Sequence, residues 1–151
     1  MREFVFIFLI STLISVNIFC QPVKSPDEFL GYELGTQFTF HHRAVDYFRY
    51  IAGQSECAEI IEYGTTYEGR PLCVCVVSEK ANLAILDQYR NNNLIKAGLV
   101  KGDIAGSQLP IIWLAYNIHG NEAAGMETAM KTLYTLVSGS FPGSENWLRS
   151  C

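Results

Sequence analysis

The chain has 151 residues, 49% of them hydrophobic and 17% charged. That is the composition of a globular chain with apolar material for one core, and it excludes intrinsic disorder. Eleven Lys and Arg against fifteen Asp and Glu leave a net charge of -4 with no basic cluster, which excludes the electrostatic footprint of a nucleic-acid partner.

In chain order, "MREFVFIFLISTLISVNIF" sets Arg2 ahead of an apolar run too short and too N-terminal for a membrane span. Residues 1–20 read as an export signal cleaved after Cys20, so the protein is expected to be secreted or periplasmic. Two alternatives stay open. Glu3 weakens the positive start, which leaves a retained anchor helix, and Cys20 is the residue that a lipoprotein would lipidate. Membrane association is expected only in those two cases. Next, "SPDEFLGYELGTQFTF" is a polar and aromatic lead-in. Thr39 is the expected N-cap of the segment "FHHRAVDYFRYIAG", where Ala44, Val45, Phe48, Ile51 and Ala52 make one apolar helix face ending at Gly53. His41 and His42 fall in its first turn about 100° apart, so they are expected to be exposed or capping rather than joint ligands.

The stretch "AEIIEYGTTYEGRPLCVCVVS" alternates and then runs apolar around the turn signal "TTYEG", which predicts two antiparallel strands. Cys73 and Cys75 share a face of the second strand. They read as buried apolar thiols, with a soft-metal pair as the alternative. Cys57 and Cys151 receive no assignment, and no disulfide pairing follows from the spacing. "EKANLAILDQYRNNNLIKAG" predicts a helix through Leu83, Leu86, Tyr89 and Leu94 that stops at Gly98 and that Asn91 to Asn93 threaten to break. After the loop "KGDIAGSQ", the run "LPIIWLAYNI" has the length and apolarity of a central strand covered on both faces. From Asn121 the period changes. Met126, Ala129, Met130, Leu133, Leu136 and Val137 mark a helix face that stops at Ser138 and Gly139.

His119 is thus expected to close a strand and Glu122 to lie in the first turn of a helix, at the carboxyl end of a strand where α/β sheets collect ligands. Imidazole nitrogen and carboxylate oxygen are zinc donors, and a catalytic zinc takes three protein ligands plus water. Gly120 is expected to permit the tight bend between the two. The spacing H-x-x-E leaves a second reading open, in which a corner histidine and a helix-start carboxylate only hydrogen-bond locally.

From Thr39 to Arg149 the chain resembles the zinc carboxypeptidase family, in its HGNE branch. The residues that carry the resemblance are "HHRAVDYFRYIA", the signature "EYGTTYEGRPL", the apolar strand, "NIHGNEAAGME" and the closing "NWLRS". It implies a mixed eight-stranded sheet flanked by helices, an α/β/α fold with one Zn2+, and hydrolysis of the peptide bond next to a free C-terminus. By position, His119 and Glu122 match the family's first two zinc ligands, with Gly120 and Asn121 completing the motif. Glu68, Gly69 and Arg70 match the signature leading into a strand and are read as structural. Glu127 also fits the pattern, but a helical step of five residues turns it about 140° from Glu122, so it is not nominated as the catalytic base.

The resemblance is incomplete. The family's third ligand is a downstream histidine, followed by a glutamate base and arginines for the substrate carboxylate. After Asn117 this sequence holds no histidine but His119. Residues 21–151 therefore read as the N-terminal portion of a zinc carboxypeptidase-like domain, with a peptide or protein C-terminus as the substrate. Competing readings are an inactive peptide-binding fragment or module, and a deacylase of N-acyl amino acids from the same superfamily.

Overall fold

The computed structural model describes residues 23–151, so the export-signal, anchor and lipoprotein readings of the N-terminus lie outside the described residues. The lead-in contains a helix too short for periodicity to reveal, α1 (Pro26–Leu30). Ser25 Oγ accepts the Glu28 N–H at 3.3 Å and the Glu28 carboxylate accepts the Ser25 N–H at 2.7 Å, a reciprocal cap followed by proline at the first turn. The signal S-x-x-E was present in the sequence.

Helix α2 (His41–Gln54) follows the expected apolar face, burying Ala44, Val45 and Ile51. The periodicity did not single out Tyr47, which is fully buried, meets Phe29 edge-on with ring centroids 5.1 Å apart and donates its hydroxyl to the Lys24 carbonyl at 3.0 Å. Thr39 is not the N-cap. Phe40 holds that position without a side-chain bond, because the Thr39 hydroxyl is engaged by Tyr32 and Glu127.

The expected hairpin is present. Strands β1 (Ala58–Thr65) and β2 (Pro71–Val77) pair antiparallel from Ala58↔Val77 to Thr65↔Pro71, with an irregularity between Glu62 and Gly64. Arg49 of α2 is ion-paired with Glu62 of β1. Cys73 and Cys75 are free thiols on β2, while Cys57 is buried and disulfide-bonded. Burial pushes the Cys75 thiol up to about 12, assisted by the neighbouring Cys73, and raises Cys73 as well.

The following helix is divided, but not at the asparagines. The break falls between α3 (Lys80–Leu83) and α4 (Leu86–Lys96), and Asn91 to Asn93 are helical. Asn92 is buried and uses its amide in both senses, donating to the Ala105 carbonyl at 2.7 Å and accepting the Ala105 N–H at 3.1 Å. A side chain that pairs with a distant backbone removes the local competition that makes asparagine a helix breaker. Helix α5 (Ala124–Val137) buries Ala129, Met130, Leu133 and Val137, and α6 (Ser144–Ser150) is fastened to the end of β2 through Glu79 N–H to Leu148 O at 2.8 Å.

The core joins Tyr47 and Ile51 of α2, Ala58 of β1, and Met130, Leu133 and Val137 of α5, with Val23 and Leu30 closing one end. The architecture is α/β. Its sheet is two-stranded and antiparallel among the described residues, and the strand expected at "LPIIWLAYNI" is a correction. Residues 109–117 carry no described strand partner, and Ile111, Ile112, Trp113 and Leu114 are exposed, Trp113 to 70%. A strand buries both faces only when neighbours flank it, and the hairpin does not reach this run. Among the described residues no helix is long and apolar enough to cross a membrane.

Two outcomes follow from this burial. Met130→Ala is expected to cost about 2–5 kcal/mol in denaturant unfolding, whereas Ile112→Ala stays within about 0.5 kcal/mol. The Cys75 thiol, half-buried where full burial was expected, sets an alkaline limit. An unfolded cysteine titrates near 9.0 and Cys75 near about 12, so the folded state holds the proton more tightly. Its contribution is complete below pH 9.0 and is lost as pH rises toward about 12. Cys75→Ala is expected to flatten that part of the stability profile, measured by unfolding from pH 8 to 11.

Candidate metal site

The chain enters the candidate site through Asn117, a non-glycine residue with positive φ, at 57°. Its side-chain oxygen Oδ1 is buried without a hydrogen-bond partner. The reason for this confinement lies across the corner, at Gly125 in the first turn of α5. A Cβ built on Gly125 would lie 3.0 Å from the Asn117 nitrogen and 3.3 Å from its Cα. The left-handed corner and the helix start are therefore in close backbone contact, and even a methyl group between them would press on the Asn117 backbone.

Between these two points the turn brings His119 and Glu122 together. The Glu122 N–H donates to the His119 carbonyl at 3.1 Å, and Gly125 N–H to the Glu122 carbonyl at 3.1 Å. His119 Nδ1 and Glu122 Oε1 then face each other at 3.0 Å. Both side chains are largely exposed, at 69% and 63%. Glu122 was expected inside the helix, but α5 begins at Ala124 and Glu122 sits in the turn before it. Gly120 and Asn121 are the central residues of the turn that the Glu122-to-His119 backbone bond closes, as expected, but Gly120 has no positive φ and a Cβ there would meet nothing within 4 Å, so the bend does not require glycine. The left-handed residue is Asn117, two residues before His119. Asn121 is exposed beside Gly120.

Glu68, Gly69 and Arg70 stand in the β1–β2 turn. Gly69 adopts φ +75°, its N–H donates to the Thr66 carbonyl at 2.9 Å, and Arg70 N–H donates to Thr66 Oγ1 at 3.0 Å. Arg70 pairs with Glu68 at 2.7 Å. These residues close the hairpin on itself. Arg70 also borders a shallow cleft of about 350 Å³ with Phe40, His41, His42 and Arg49, and neither His119 nor Glu122 lines it. His41 and His42 are exposed, as expected, with the His42 ring stacked on Phe40.

The model of the zinc carboxypeptidase family matches residues 45–151, well over half of the chain. The chain belongs to the zinc carboxypeptidase family. A search of curated proteins and a search of solved structures each return no match. Zinc carboxypeptidases are zinc-dependent hydrolases, and the corner fits that metal in part. The His119 Nδ1–Glu122 Oε1 contact is a hydrogen bond, the local pairing that the spacing left open, between an imidazole nitrogen and a carboxylate oxygen of the kinds that zinc accepts. Among the described residues no group of three His, Cys, Asp or Glu side chains is placed to hold an ion. Two donors are fewer than the three protein ligands that a catalytic zinc takes.

Alanine at the two glycines is expected to separate their roles. In Gly125→Ala the usual helical gain of about 0.5–1 kcal/mol is outweighed by a backbone clash costing about 1–3 kcal/mol, for a net loss. Gly120→Ala meets open space and is expected to leave thermal unfolding close to wild type.

Proposed function

We propose that this chain carries part of the catalytic centre of an exported zinc metallocarboxypeptidase that removes residues from the C-terminus of peptides or proteins. The observation that carries the reading is the facing of His119 Nδ1 and Glu122 Oε1 at 3.0 Å on a corner held by Asn117 and Gly125, within a zinc carboxypeptidase match. In this reading His119 and Glu122 are zinc ligands. When bound, zinc supplies a Lewis acid that polarises a scissile carbonyl and lowers the pKa of a water toward about 7.

The contribution of this chain is positional. The turn from His119 to Gly125 presents both donors toward solvent, at a lip that a peptide terminus reaches without entering the core. The Glu68–Arg70 turn maintains the hairpin. Export is supported by the apolar N-terminal sequence that follows Arg2. A second reading, a peptide-binding module without turnover, is favoured by one observation: no third donor stands with the pair among the described residues.

Zinc titration of the 151-residue chain tests the ligand assignment. His119→Ala and Glu122→Ala are each expected to weaken zinc binding by about tenfold or more, and unchanged affinity in both variants rejects it. With two donors and no base, the same chain is expected to show no chelator-sensitive release of C-terminal residues. Turnover by this chain alone would reject the division of the site.

A further inference from the structure

Glu127 has no part in the donor pair, and its side chain is committed elsewhere. Its carboxylate accepts the Gly35 N–H at 2.6 Å and the Thr39 hydroxyl at 2.8 Å, partners 92 and 88 residues away in sequence. Thr39 Oγ1 also contacts the Tyr32 hydroxyl at 3.0 Å. Because the Thr39 proton goes to the carboxylate, Tyr32 donates to Thr39, giving a relay from Tyr32 through Thr39 to Glu127. One step earlier, the Leu34 N–H donates to Asp27 Oδ1 at 2.9 Å. The segment between α1 and α2 is thus a strap tied down by side-chain acceptors and laid against the first turn of α5.

The strap and the strained corner hold that turn from different sides. Gly125 packs on Asn117, and Glu127, two residues on, projects about 200° around the helix from it. The start of α5 lies between the corner that leads into His119 and the strap that Glu127 grips. We propose that Glu127 is a positioning residue: by clasping Gly35 and Thr39 it holds the start of α5 against Asn117 and so fixes the His119–Glu122 corner. A carboxylate suits this task, because two convergent donors need two acceptor oxygens and charge-assisted bonds are the stronger kind. The purpose given to the clasp rests on the metal-pair reading, whereas its mechanical action does not.

Amide hydrogen exchange in the full chain tests it, read at Gly35, at Glu122 and Gly125 in the corner, and at Met130 to Val137 in the body of α5. Glu127→Ala is expected to speed exchange at Gly35, Glu122 and Gly125 by about tenfold relative to the body of the helix. Glu127→Gln is expected to fall between wild type and Glu127→Ala, since its amide can accept from Gly35 while donating to Thr39 but loses the charge assistance. A carboxylate that merely favours the helix dipole would be lost equally in both variants, so equal effects of Ala and Gln overturn the proposal. Corner rates that follow the body of α5 overturn it also. Should Glu127→Ala fail to fold, Thr39→Val removes one arm of the clasp and is expected to speed Gly35 and the corner in the same order.

Zinc affinity supplies the second readout. Glu127→Ala is expected to bind zinc about tenfold more weakly, with Glu127→Gln restoring part of the loss. A loosened corner with unchanged zinc affinity rejects the positioning role. If His119→Ala leaves zinc affinity untouched, the metal-pair reading fails, and the exchange rates then decide the clasp by themselves.

Discussion

Packing of α5 against α2 is the interaction on which the rest of the structure depends. Tyr47 and Ile51 from one helix and Met130 from the other have no exposed surface, and Leu133 and Val137 extend the same seam. Burying side chains of this size stabilises by about 1.5–3 kcal/mol each, more than any exposed ion pair of the molecule contributes. The hairpin joins this seam through Ala58, Cys75 and Val77, and α1 through Leu30. Once α5 is set against α2, the direction of its N-terminal turn is set too. Everything at the candidate site hangs from that turn.

Around it, the chain accepts local costs. Asn117 combines a left-handed backbone with a buried carbonyl oxygen that finds no donor, features that each cost about 1–3 kcal/mol. They persist because the helix start backs directly onto the residue and the core prevents the helix from moving away. The strap on the other side works through polar bonds instead, with Glu127 joining parts of the chain far apart in sequence. The donor pair itself is exposed. Its geometry comes from backbone restraints beneath it, not from packing around it.

Local signals in the sequence matched local structure. The hairpin followed from alternation on either side of "TTYEG", the face of α2 from three- and four-residue spacing, and the end of α5 from Ser138 and Gly139. His119 and Glu122 came together because three residues across a tight turn bring two side chains side by side whatever the remainder of the fold does. The capping box at Ser25 and Glu28 is equally legible in the sequence, within the polar and aromatic lead-in. The run "LPIIWLAYNI" misled for a physical reason. Apolarity and β-branching report what a segment would bury, and burial requires neighbours that composition does not name. Asn92 misled in the opposite sense, since its breaker tendency is cancelled by a backbone partner thirteen residues away.

By itself the sequence determined the α/β class, the hairpin, the helices α2 and α5 and the closeness of His119 to Glu122, since these rest on periodicity and short-range spacing, and its motifs carried the resemblance to the zinc carboxypeptidase family. Only the tertiary structure decided that Asn117 takes the left-handed conformation ahead of the turn, that Gly125 backs closely onto it, and that Glu127 reaches back to the strap. Those features arise where segments 8 to 92 residues apart meet, and close approach in space between such segments leaves no periodic mark in the chain.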